Sequence, residues 1–181
     1  MAIIEAIETV YMEEDTASVT FSSLGSYEHL RVKMVTKSRS GSSNYYDSMN
    51  IRFGTGGGAV DTGTNYSIIQ MYATGSSSHA AGAGTGQTAI YTAGISDSLK
   101  SDAIYYSTNV LDILDYANAN KNTTVQSRYS TGTFGSSTTY TMIAGGVWDN
   151  TGAVDKFTLL NYSTANFERG SEFTLYGIKS S

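Results

Sequence analysis

The sequence predicts an all-β fold, an antiparallel two-sheet sandwich that is jelly-roll-like. Three observations predict it. Short runs of alternating apolar and polar residues recur along the chain. The clearest is Leu30-Arg-Val-Lys-Met-Val-Thr-Lys37, with Leu30, Val32 and Met34 on one face and Arg31, Lys33 and Lys37 on the other. Gly, Ser, Asn and Asp separate these runs, and no segment keeps a helical period over three turns. The 181 residues make one domain of comfortable size.

Taken in order, Ile3 to Met12 reads as a strand, and residues 1–14 as an edge strand or an arm reaching a neighbour. Ser18-Val-Thr-Phe21 alternates, Gly25-Ser26 turns the chain, and the strand from Leu30 follows. After a polar loop, Met49-Asn-Ile-Arg-Phe53 alternates again. Asn65 to Ala73 puts Tyr66, Ile68 and Tyr72 on one face, and the Gly-, Ser- and Ala-rich stretch from Thr74 to Gly86 reads as a long mobile loop. Ile90-Tyr-Thr92 is a short strand, and Ile104 to Tyr116 pairs with Thr123 to Tyr129 as a hairpin. The last forty residues read as strand, tight turn, strand, connection, strand. Tyr140 to Trp148 returns through Asp149-Asn-Thr-Gly152 into Val154 to Asn161. There Val154 and Leu160 face one way, Phe157 and Leu159 the other, and Ser171 to Ile178 closes the set. About nine or ten strands result. Leu30, Val32, Met34, Ile51, Phe53, Phe173 and Leu175 are expected in one core between two sheets.

Charged residues are 15 % of the chain, below the roughly 25 % of ordinary soluble domains, and the net charge is −5. That balance excludes the basic face of a nucleic-acid-binding protein. Cysteine is absent, which removes disulfides, thiolate metal sites and thiol chemistry. No apolar run reaches the roughly 18 residues of a membrane-spanning helix, and Met1-Ala-Ile-Ile-Glu-Ala-Ile-Glu lacks the basic flank and apolar core of a signal peptide. The expectation is a protein made in the cytoplasm as it stands, with no membrane partner.

Chemistry-bearing patterns are sparse. Gly54-Thr-Gly-Gly-Gly-Ala59 has phosphate-cradle spacing, but another turn follows where such a cradle needs a helix. Of the two histidines, His29 precedes a strand as a partly buried hydrogen-bonding residue, and His79 falls in the Gly/Ser loop. Asp112 and Asp115 would point to opposite faces of a strand, so they cannot share a substrate as a glycosidase pair does. Asn122-Thr-Thr and two Asn-Tyr-Ser triplets match the glycosylation pattern at the frequency that composition alone produces. The reading is no catalytic residues, no metal and no cofactor. The adjacent pairs Tyr45-Tyr46 and Tyr105-Tyr106 stand out, because in extended chain one ring of each pair faces outward. Such rings suit a sugar or a protein neighbour.

Tyr27-Glu-His-Leu-Arg-Val-Lys-Met-Val-Thr-Lys-Ser-Arg39 resembles a strand motif of structural proteins of tailed bacteriophages, including cyanophages. Gly82 to Gln87, Leu111 to Tyr116 with Asn120-Lys-Asn122, and Asn166-Phe167 with Gly170 to Lys179 follow in the same order, so the resemblance covers nearly the whole chain. It implies a non-enzymatic virion component, a capsid-surface subunit of the decoration or head-fibre (knob) type. Its implied partners are other virion proteins and copies of itself, a trimer before a dimer. The alternative is a carbohydrate- or receptor-binding module of a tail fibre, in which outward tyrosines and Trp148 would stack on a glycan. On either reading the candidate contact residues are Tyr45, Tyr46, Tyr105, Tyr106 and Trp148.

Overall fold

The computed structural model describes residues 3–39, 46–75, 79–97, 105–131 and 139–179. Among them there is no helix. The strands are β1 (Ile3–Tyr11), β2 (Ser18–Phe21), β3 (His29–Arg39), β4 (Tyr46–Thr55), β5 (Tyr66–Thr74), β6 (His79–Gln87) and β7 (Ile90–Asp97). They continue with β8 (Ser107–Leu114), β9 (Thr123–Thr131), β10 (Tyr140–Trp148), β11 (Val154–Asn161), β12 (Asn166–Phe167) and β13 (Glu172–Lys179).

Two sheets form. The longer runs β1-β13-β3-β8-β9-β10-β5-β6, every pairing antiparallel. The shorter runs β2-β11-β4-β7, also antiparallel. The last residues of the long strand β3 leave the first sheet and join the second, beside β12 and in a two-residue parallel pairing with β7. Setting aside the hairpins β5–β6 and β9–β10, eight framework strands remain besides the short β12. Counted along the chain, they stand in the orders first-eighth-third-sixth and second-seventh-fourth-fifth. That is the jelly roll, two Greek keys wrapped into a sandwich, and the two hairpins extend only the longer sheet.

The alternation seen in the sequence sets the core. Leu30, Val32, Met34, Ile51, Phe53, Phe173 and Leu175 are all buried in one cluster filled from both sheets, each contributing roughly 1.5–3 kcal/mol by burial. β9 alternates without a break from Thr123 to Thr131, and β8 with β9 is the expected hairpin. Polar residues buried where β3 meets β8 bond to one another: Asn109 Nδ2 donates to Thr36 Oγ1 at 3.0 Å, and the Thr36 and Ser107 hydroxyls lie 3.0 Å apart.

Of the two readings of the N-terminal segment, Ile3–Tyr11 takes the edge strand, ending the longer sheet and paired with β13 along its length. Four expectations change. Tyr140–Trp148 and Val154–Asn161 are not a hairpin: the short connection carries the chain from one sheet to the other, and their partners are distant in sequence. A bulge between Val154 and Lys156 puts Val154 on the core side with Phe157 and Leu159. Lys37, expected in solvent, is fully buried, because at the crossing end of β3 its ammonium is covered by Glu168 (3.7 Å) and the Tyr106 ring. Finally, His79–Gln87 is a strand and not a loop. Its Ala and Gly side chains carry no pattern, and what orders it is backbone pairing with β5, within the same chain.

Candidate functional site

Trp148 ends β10 on the core side and is 1 % exposed. Its ring stacks on Phe53 of the facing sheet (centroids 5.6 Å apart) and on Tyr66 (6.3 Å), and its Nε1 donates to Asp61 Oδ2 at 2.8 Å. It is a pillar between the sheets and cannot meet a glycan, which corrects the expectation. Tyr106 is half-buried over Lys37 and donates its hydroxyl to the Arg169 carbonyl at 3.1 Å, so it too belongs to the framework. Tyr105 is half-buried. Tyr45 lies outside the described residues, as does the Tyr46 side chain, although the Tyr46 backbone pairs with Ser96.

Of the ionisable groups named in the sequence, His29, Asp112 and Asp115 are engaged structurally, and the His79 side chain lies outside the described residues. Arg31 grips Asp112 across β3 and β8 with two hydrogen bonds of 2.6 and 3.0 Å. Asp115 sits at a positive φ of 51° in the turn after β8 and accepts from Lys121 Nζ at 2.6 Å. Glu28, His29 and Asp115 bring potential metal-ligand atoms within 4.8 Å of one another. However, His29 Nδ1 accepts the Asp115 N–H at 3.0 Å, and Lys121 occupies the Asp115 carboxylate. That set caps the end of the β8–β9 hairpin.

Asp61 fixes the loop between β4 and β5. Burial would raise its carboxyl pKa. Donation from Asn65 Nδ2 (2.9 Å), Trp148 Nε1 (2.8 Å) and the Gly63 N–H (2.7 Å) outweighs that and holds it below the usual carboxylate range. A group whose folded pKa is depressed contributes stability above its unfolded value of about 3.9, and that stability fades as pH falls through the folded value. Asp61→Asn is therefore expected to lose about 1–3 kcal/mol at neutral pH and progressively less below about pH 4. Urea unfolding at neutral and acid pH measures this; a loss that does not change with pH would count against it.

The surface that stands apart is the outer face of the longer sheet. β5, β6 and β10 contain no Asp, Glu, Lys or Arg. On that flank Ile69 is 64 % exposed, Met71 59 % and Ile143 47 %. Register puts Ala81 beside Met71 beside Ile143, and Ala83 beside Ile69 beside Gly145. Where Gly145 lacks a side chain, a groove of about 740 Å³ opens between Ile69, Met71, Ile143, Val147 and Leu114. Charged residues on the outer face gather on the other strands, as Arg31, Lys33, Asp112, Arg128 and Glu172. The two edges differ likewise: β1 carries Glu5 and Glu8, whereas β6 carries neither charge nor proline, the devices that keep an edge from pairing.

The sequence reading missed this flank. Ile68-Ile-Gln-Met-Tyr72 has apolar residues at both parities of a strand, which signals a strand apolar on both faces.

No protein-family model matches the sequence, and no curated protein is similar to it. Among solved structures, the carbohydrate recognition domain of Emp46p in its potassium-bound form is 10 % identical, over 96 % of this chain and 87 % of that one, with a TM-score of 0.31. The exoplasmic/lumenal domain of VIP36 (Ca²⁺/mannose-bound form) is 6 % identical over 93 % and 89 %, at 0.29. The β-fructofuranosidase of Schwanniomyces occidentalis is 11 % identical over 98 % of this chain and 34 % of that one, at 0.24. At these scores the likeness carries no argument.

Proposed function

We propose that this chain is a non-enzymatic structural subunit of a bacteriophage virion, a surface component of the decoration or head-fibre type, and that it self-associates through the uncharged flank of its longer sheet. The observation that carries the assembly reading is the run of Ile69, Met71 and Ile143 on an outer face, beside an edge strand free of charge. Exposed apolar patches of this kind mark interaction surfaces. Another copy of this chain is the partner that fits, because the uncharged edge of β6 is a template for its own equivalent. The placement on a virion rests on the motif resemblance. Three of its blocks, Tyr27 to Arg39, Leu111 to Tyr116 and Gly170 to Lys179, fall on or beside the adjacent strands β13, β3 and β8. These three follow the framework, while a fourth, Gly82 to Gln87, lies on β6 at the edge of the association flank.

Light scattering on the purified protein is the test, with Met71→Glu and Ile143→Glu as variants. The wild type is expected as a homo-oligomer, a trimer before a dimer. A carboxylate buried unpaired in an apolar contact costs about 3 kcal/mol or more, so each variant should weaken association about 100-fold while staying folded. A wild type that is strictly monomeric at high concentration and fails to bind stripped phage particles would refute the reading.

A further inference from the structure

The two sheets are unequal, and the inequality leaves a site. β7 is the last strand of the shorter sheet and packs across β9 and β10. Among the described residues, the hairpin β5–β6 therefore overhangs, with no strand facing most of its inner side. There the core pattern changes: Ile68, Gln70 and Tyr72 are only half-buried, although they share the parity of fully buried Tyr66. Under the overhang lies a cleft of about 250 Å³ lined by Gln70, Tyr72, Tyr129 and Tyr140 from the longer sheet and by Ser48 and Tyr91 from the shorter one.

Tyrosines at the end of a core commonly do no more than seal it, ring inward and hydroxyl toward water. Here they leave an open space beside them, and one wall is set by the close approach of the Tyr129 ring to β7. A Cβ at Gly94 would lie 2.3 Å from the Tyr129 hydroxyl, so only glycine lets that ring lie against β7. Among the described residues, no side chain lining the cleft is charged. A nearby charge among them is the Asp47 carboxylate, held by the Ser163 hydroxyl and the Ser48 N–H, and it disfavours an anionic ligand. Tyr129 is buried and Tyr91 is bonded to Tyr162, so Tyr72, Tyr140, the Gln70 carboxamide and the Ser48 hydroxyl supply the neutral donors and acceptors, next to flat apolar ring faces. That combination complements a ligand with hydroxyls at its edge and C–H groups on its face. The volume is below the roughly 300–1,000 Å³ of sites that take drug-sized molecules, so it suits one ring and not a chain.

We propose that this cleft binds a single neutral sugar ring, such as the terminal residue of a glycan. The proposal does not depend on the association flank, which lies on the opposite face of the longer sheet, so either can fail alone.

Saturation-transfer NMR on the full chain tests it, with methyl glycosides of glucose, galactose, mannose and N-acetylglucosamine at millimolar concentration and choline chloride as the contrasting probe. At least one glycoside should receive saturation and choline none. Gln70→Ala should weaken that binding about tenfold or more and Tyr140→Phe by a smaller factor. Tyr176→Phe, on the outer face, should leave it unchanged. Thermal melts show which variants fold; if Gln70→Ala does not, Tyr140→Phe, which removes one oxygen only, carries the comparison. Absence of binding by all four glycosides, binding that persists unchanged in the folded cleft variants, or binding of choline instead would overturn the assignment.

Discussion

Trp148→Ala is expected to destabilise the fold by about 3–5 kcal/mol, near the top of the range for truncating a buried aromatic. The indole fills space that neither sheet closes alone, with Phe53 of the shorter sheet on one side and Tyr66 of its own on the other. The framework around it is tied down. The Tyr66 hydroxyl donates to the Asp61 carbonyl at 3.0 Å and accepts the Phe53 N–H at 3.1 Å, and burial pushes its pKa up to about 12. Walls held in this way relax little into a void, which is the condition for a high cavity cost. Asp61 also loses a donor. Trp148→Phe separates the two effects, because it keeps a ring between the sheets and removes the hydrogen bond, and it should cost only about 1–2 kcal/mol. The chain has a single tryptophan, so unfolding is followed by circular dichroism rather than indole fluorescence. A Trp148→Ala loss below about 2 kcal/mol would show that the sheets close over the gap and that the pillar is dispensable.

The same residue shows how far the sequence could be read. Along Tyr140 to Trp148 the buried parity is Met142, Ala144, Gly146 and Trp148, so strand parity alone places the indole inward. Trp148 differs in this from the adjacent tyrosine pairs, where neighbouring rings must take opposite parities and one of each pair faces outward. Wherever each face of a strand met one environment, alternation was sufficient: Leu30, Val32 and Met34 lie inside as their spacing requires, and so do Phe173 and Leu175.

What stayed hidden was decided by partners distant in the chain. The five residues between Trp148 and Val154 have the composition of a hairpin turn. Whether they turn back or cross over depends on β5, β9, β2 and β4 being available as partners. β6 carries almost no side-chain signal and exists because β5 offers its backbone. Lys37 follows the polar parity of β3 and is buried all the same, since Glu168 and Tyr106 arrive from elsewhere in the chain. The cleft under the overhang depends on the two sheets having different widths, and no local pattern encodes that.

Gly146→Val is expected to cost about 3 kcal/mol, the upper end of the usual range for overpacking. Gly146 lies on the core side of β10 opposite Ile68 of β5. A Cβ there would sit 2.5 Å from the Ser67 carbonyl oxygen and 2.5 Å from Ile90 Cγ2 on the facing sheet. The first obstacle is backbone, fixed within the β10–β5 ladder, and cannot swing aside. Relief requires prising β5 from β10 or lifting β7, and either movement opens packing between the sheets that neighbouring residues share. Gly177 is the control. A Cβ at Gly177 would meet the Tyr27 ring at 2.2 Å, closer still, but that obstacle is a side chain whose hydroxyl makes an exposed bond to Glu5 at 3.0 Å. The nearest atom is Cγ, so the whole Tyr27 side chain must swing about its Cα–Cβ bond. That is still cheaper than moving a ladder backbone, and Gly177→Val should cost about 1–2 kcal/mol, the lower part of the same range. The ordering follows from what each added methyl meets and not from the distance alone. Urea unfolding of the two variants side by side decides it: a Gly177→Val loss equal to or larger than that of Gly146→Val would mean that the β10–β5 ladder yields more easily than the Tyr27 ring.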